Sequence, residues 1–300
     1  TVIFTGNYAL AVDGRILAVG TPADSIRFTV SDTTGYSMNT HTGWQGISFN
    51  GLDPLNDTSR LSYCVIEYSR RYAGGGLSVQ DWSKLVVTHS RISHSKATYG
   101  GAAHIQSSTA RFVGNVFSMN QAYDRGGAVH VAGGAPILSE NVFRLNRAEI
   151  FGGGLYIWDG DPVLTWNSFI DNQAVGSYGG GMMAVFYDAQ MTGNTFSGNT
   201  APYGGGVLLE ESSPQMTGNT LSGNTGSVYG GGIFLLSSSP LMTGNTLSGN
   251  TALYGGGMFM QGSSPQMTGN TISGNSVTAS GGGLLIFSGS APVLSNNAIF

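Results

Sequence analysis

The sequence predicts an all-β fold, a parallel β-solenoid of about 11 coils with about 26 residues in each. Three observations predict it. Glycine triplets, Gly-Gly-Gly or Gly-Gly-Ala, begin at 74, 100, 126, 152, 179, 204, 230, 255 and 281. An Asn-x4-Asn pair precedes most of them, from Asn115/Asn120 to Asn270/Asn275, with Cys64/Ser69 and Ser90/Ser95 in the same columns earlier. Apolar residues return at fixed places, two residues after the first Asn (Phe117, Phe143, Phe169, Phe196, Leu221, Leu247, Ile272) and three before it (Phe112, Leu138, Leu164, Met191, Met216, Met242, Met267).

Each part of the repeat has a physical reason. After every triplet the first and third positions are apolar, as in Ile233/Leu235 and Leu284/Ile286, and alternation over so short a run is a strand signature. A 26-residue unit of short strands cannot bury its apolar face alone, but stacked coils can. Equivalent residues then lie about 4.8 Å apart, so 11 coils span about 50 Å. The Asn columns fit turns whose side-chain amides bond to the next Asn, an internal amide stack. The glycines permit positive φ and close backbone approach at a sharp corner.

Residues 74–300 carry the regular repeat, whereas 1–73 read as about three less regular coils of the same solenoid. There Ile3/Phe4, Ile26/Phe28 and Ile47/Phe49 are expected core strands, and Gly51 to Ser59 a surface loop.

The stretch from Ser238-Ser239-Pro240-Leu241-Met242-Thr243-Gly244-Asn245 through Asn250 to Tyr254-Gly255-Gly256-Gly257 resembles the repeats of right-handed parallel β-helix proteins secreted by bacteria. It is also similar to the Gly-Gly-Ala and Asn-rich repeats of chlamydial polymorphic outer-membrane proteins. The opening, from Phe4-Thr5-Gly6-Asn7-Tyr8 to Trp44-Gln45-Gly46-Ile47, is similar to the N-terminal coils of such proteins. The resemblance covers essentially the whole chain. It implies the right hand, as does the crossover rule for parallel strands, and it implies a fold that carries lyases, hydrolases, adhesins and fibres alike.

Composition narrows the function. Of 300 residues 48 are glycine and only 9% are charged, with a net charge of -4. A polycationic nucleic-acid binder is excluded. No run approaches the roughly 20 apolar residues of a membrane-spanning helix. A single cysteine, Cys64, excludes a disulfide scaffold. Charge is uneven: no Lys or Arg follows Arg147, and no charge of any kind follows Glu211. No signal peptide is visible, because the sequence opens directly on strand-like residues.

In a solenoid, function lives on the outward columns. Tyr178, Tyr203, Tyr229 and Tyr254, with Phe151 and Tyr99, precede the triplets and are expected to form an aromatic column, either a glycan or partner surface or a self-stack over the glycines. The second position after the triplets (Ser78, His104, His130, Tyr156, Met183, Leu208, Phe234, Phe259, Leu285) should point outward. Its apolar C-terminal part reads as an interface stripe. His104 and His130 fall in adjacent coils and lack a third ligand in register. At the following turn, Asp159, Asp161, Asp188, Glu210 and Glu211 gather beside Trp158, Phe186 and Tyr187. Aromatics there could stack on sugars, and Asp161 and Asp188 are the candidate acid–base pair. Asp159, Asp161 and Asp188 are the candidate calcium ligands. A hydroxyl array, Thr195/Ser197 to Thr271/Ser273, raises ice binding. Both ends read as mid-coil strands, expected either of a piece of a longer chain or of coils that another copy covers head to tail.

The expected function is an extracellular or cell-surface solenoid, structural or adhesive and not catalytic, self-assembling or meeting other surface proteins or glycans. The alternatives are a carbohydrate-binding or carbohydrate-degrading groove at the acidic turn, and an ice-binding Thr/Ser face.

Overall fold

A computed structural model describes residues 1–34, 36, 43–51 and 57–300. Among them every strand pairing is parallel and no helix occurs. The strands form four sheets that run the length of the solenoid. One sheet of 11 strands follows the triplets, from Leu10–Val12 to Leu284–Phe287. A second of 11 runs from Leu17–Val19 to Val293–Ser295, and one of 12 runs from Val2–Phe4 to Ala298–Ile299. A fourth, of eight strands, begins at Lys96–Tyr99 and ends at Ser276–Ser280, and the isolated bridges Arg70–Lys96 and Ala73–Tyr99 continue its side into the preceding coil. The expected loop from Gly51 to Ser59 falls mostly on residues 52–56, outside the described residues.

The register follows the repeat. Leu221 pairs with Leu247, and Leu247 with Ile272. Inward positions therefore stack on their own kind: Phe117, Phe143, Phe169 and Phe196 have successive ring centroids 4.9, 4.5 and 4.5 Å apart. In the earlier coils Ile92, Ile66 and Phe28 continue this column, while Trp44, in register with Ser69, is buried beside it with Phe4 stacked on it at 4.0 Å. Of the expected pair Ile3/Phe4, it is Phe4 that packs inward, while Ile3 is exposed.

Two asparagine ladders hold the corners. Asn194 is typical. Its Oδ1 accepts from the backbone N–H and the Nδ2 of Asn167, at 2.9 and 3.0 Å. Its Nδ2 donates to Asn219 Oδ1 and to the Leu164 carbonyl, at 3.0 and 2.9 Å. The amide is buried and fully satisfied, which is what a buried polar side chain requires. Ser90 and Ser95 start the two ladders by donating their backbone N–H groups to Asn115 and Asn120.

At the triplets the backbones of successive coils nearly touch. A Cβ at Gly231 would lie 2.4 Å from the Thr251 carbonyl oxygen and 2.5 Å from that of Gly256. Gly230, just before it, has φ of 63°. No side chain fits at the second of these positions, so the glycine run is steric in origin.

Candidate functional site

The corner that the glycines permit turns the preceding aromatic back over the strand that follows. This corrects the expectation of an exposed stripe. Tyr156, Met183, Leu208, Phe234 and Phe259 do point away from the main core, but they are buried in a second apolar cluster. Phe151, Tyr178, Tyr203, Tyr229 and Tyr254 lie across them, half-buried themselves. Tyr229, for instance, stacks on Phe259 at 4.4 Å. Leu285 is half-buried at the edge of the same cluster. From Tyr156 onward the channel between corner and strand is thus filled by the chain's own side chains.

The acidic turn has a structural task. Asp161 Oδ1 accepts the backbone N–H of Asp188 at 3.2 Å, and Asp188 Oδ1 accepts that of Ser213 at 2.6 Å. Serine hydroxyls continue the ladder: Ser213, Ser239 and Ser264 accept from Ser239, Ser264 and Ala291. The carboxylates therefore occupy hydroxyl positions in a turn-capping column. Asp159 is exposed beside them, and among the described residues no group of three or more His, Cys, Asp or Glu is placed to hold a metal ion. Trp158 and Phe186 are exposed and meet edge to face at 5.5 Å. Tyr187, expected beside them as a sugar-stacking ring, is instead fully buried. Its hydroxyl lies 3.0 Å from the Gln190 carbonyl and 3.2 Å from that of Pro162. Phe186 has φ of 55°, which breaks the alternation and turns the next side chain inward. Glu210 is half-buried, and desolvation, helped by Glu211, pushes its carboxyl up. The Thr/Ser columns from Thr195/Ser197 to Thr271/Ser273 lie in register on one sheet, half-exposed.

The open stretch of the channel lies at the other end. There the same outward column reads Ser48, Ser78, His104 and His130, paired in register. Hydroxyls and imidazoles do not fill the space that phenylalanine and leucine fill further along. What remains is a trough of about 550 Å³. One wall is an amide row, Asn50, Gln80 and Gln106, from the fourth position of consecutive strands. The opposite wall is Arg71, Tyr72 and Tyr99, the two tyrosines edge to face at 5.3 Å. A second hollow of about 600 Å³, lined by Asn7, Gln45, Arg70, Tyr123 and others, shares Arg71 and Tyr72 with the first.

The trough carries buried polar atoms without a protein partner. Arg71 makes no ion pair among the described residues, its Nη1 is buried without a hydrogen-bond partner, and burial pushes its pKa down. His130 Nε2 is likewise buried and unpartnered. Arg125 lies over the rings of Tyr99, Phe151 and Tyr156, at 5.3, 5.7 and 5.2 Å, and pairs with Asp124 at 3.0 Å. Even so, Arg125 Nε and Asp124 Oδ1 are left without hydrogen bonds. A buried donor or acceptor left unpaired costs about 1–3 kcal/mol, and two of these atoms, on Arg71 and His130, belong to residues that line the trough, where a polar ligand would meet them.

Residues 167–299 match the family model described as the right handed beta helix region. The match covers the C-terminal coils, and the same right-handed parallel β-helix continues N-terminal to it, where the trough lies. No curated protein matches the chain. No helix of the described residues is long and apolar enough to cross a membrane.

His104 and His130 stand out in the sequence, but the trough they line does not. Arg71 and Tyr72 lie in the irregular coils, and Gln80 and Gln106 occupy a position that also carries Trp158, Val185 and Leu236. The available signal was the change of one column from serine and histidine to leucine and phenylalanine. That change marks where the channel stops being packed.

Proposed function

We propose that this β-helix is an adhesive, non-catalytic scaffold of the cell surface whose N-terminal trough binds a glycan chain. The observation that carries the reading is the open trough itself, with an amide row on one wall, tyrosines on the other, and unpartnered Arg71 and His130 atoms at its edge and floor. Planar amides and an imidazole match the hydroxyls of a sugar, and the tyrosines offer faces for its apolar side. Coils about 4.8 Å apart repeat the amide donors along an extended ligand. Binding is favoured over turnover because Asp161 and Asp188, the candidate acid–base pair, each hold a backbone amide in a capping ladder. Lateral self-association loses its main support, since the apolar column is consumed inside the molecule.

An array of neutral and acidic oligosaccharides tests the reading. At least one class should bind, and Tyr99→Ala and Gln80→Ala should each weaken it about tenfold, or about 1.4 kcal/mol. Asp161→Asn with Asp188→Asn should leave binding unchanged. An array without a hit, or variants that bind as well as the parent, would refute it.

A further inference from the structure

We propose that His104 and His130 chelate one divalent transition-metal ion through their Nδ1 atoms, with the remaining coordination positions open to the trough. The proposal stands apart from glycan binding and does not need it. Parallel pairing of Ala103–Ser108 with Val129–Gly134 sets the two histidines directly opposite each other. Their Nδ1 atoms are 3.1 Å apart. Two bonds of about 2.0–2.1 Å meeting at 90–109° put ligand nitrogens about 2.9–3.4 Å apart, so the pair already has the bite of two adjacent ligands.

The proton positions favour an ion over a simple imidazole pair. His104 Nε2 lies 3.4 Å from Gln106 Oε1, and the tautomer that donates to this acceptor leaves Nδ1 with a lone pair. Such an outer hydrogen bond is the usual way a ligating histidine is oriented. Were His130 Nδ1 to donate its proton to His104, His130 Nε2 would keep a bare lone pair, buried, in a ring flanked by Tyr99 and Tyr156 at 5.7 and 5.3 Å. With Nδ1 on an ion, Nε2 carries the proton instead, and an N–H beside aromatic faces is the milder arrangement. Burial disfavours the charged form of both rings, and ligating imidazoles are neutral. Two cations bear on the pair: Arg125, whose charge acts on His130, is matched by Asp124, and Arg71 lines the same trough. Imidazole donors select copper, nickel or zinc, whereas calcium takes oxygen ligands.

Copper(II) is the probe. Titration of the whole chain should give one ion per chain, and its electron paramagnetic resonance should show coupling to two imidazole nitrogens. His104→Phe and His130→Phe should each weaken binding at least tenfold. These variants copy Phe234 and Phe259 of the same column, and their circular dichroism and thermal midpoints should stay near the parent's. His89→Ala and His94→Ala should bind as the parent does. In the unsubstituted chain, zinc should shift the Nδ1 resonances of two histidines in long-range proton–nitrogen spectra. Absence of saturable binding, undiminished affinity in the phenylalanine variants, or Nδ1 resonances that zinc does not move would each overturn the proposal. Metal binding without any glycan, or the reverse, separates this site from the function proposed above.

Discussion

Asn194 shows what a single side chain does in this fold. Its amide makes four hydrogen bonds across three coils, all buried. Asn194→Ala leaves the Asn167 N–H and the Leu164 carbonyl unpaired, and we expect a loss of about 3 kcal/mol or more in denaturant unfolding. Asn194→Ser should cost less, because Ser90 already serves as such a rung, its hydroxyl accepting from the Cys64 N–H at 2.9 Å. The histidines give a pH dependence. Burial holds His104 and His130 below the ordinary histidine value of 6.5, so the unfolded chain protonates first as pH falls. Their contribution to stability is complete above about pH 6.5. Below it, stability declines by up to about 1.4 kcal/mol per pH unit for each histidine, until the folded-state value is passed. Unfolding midpoints followed from pH 7 to 5 should fall less steeply in His130→Phe than in the parent, and parallel curves would contradict the buried neutral state.

The strand and its corner are the scale at which the sequence was most and least informative. Inward positions were legible because register repeats each column, as the Leu221, Leu247 and Ile272 pairings show. The asparagine stacks were legible for the same reason. The outward direction of Phe234 and Phe259 was legible too, but their burial was not, since it depends on how Tyr203, Tyr229 and Tyr254 fold back across the corner. The reversed facing of Tyr187 was hidden because nothing in the local pattern announces the positive φ at Phe186. Corner glycines fall into two kinds that the alphabet alone does not separate. Gly231 is walled in by backbone oxygens, whereas Gly244, with φ of 63°, has open space around it. Gly244→Ala should cost about 1–2 kcal/mol of left-handed strain. Gly231→Ala should cost about 3 kcal/mol or prevent folding, because the coils must part. Equal effects in thermal melts would show that the close approach of coils is not what selects glycine.

At the scale of the whole molecule one channel has two fates. Over the C-terminal coils it is packed with the chain's own aromatic and aliphatic side chains, and over the N-terminal coils it is lined with serine, histidine, amide and arginine and stays open. All lysines and arginines lie at or before Arg147, so the open end is also where the positive charge resides. That division was half legible: the charge asymmetry and the change in the outward column were visible, but the wall from Arg71 and Tyr72 came from coils without a clear repeat. The decisive measurement extends the sealed half into the open one. Calorimetric titration of the best-bound oligosaccharide against Ser78→Leu/Gln80→Leu should show affinity reduced at least about tenfold, with the thermal midpoint kept or raised. Full affinity in the folded double variant would contradict the assignment of the trough as the binding site.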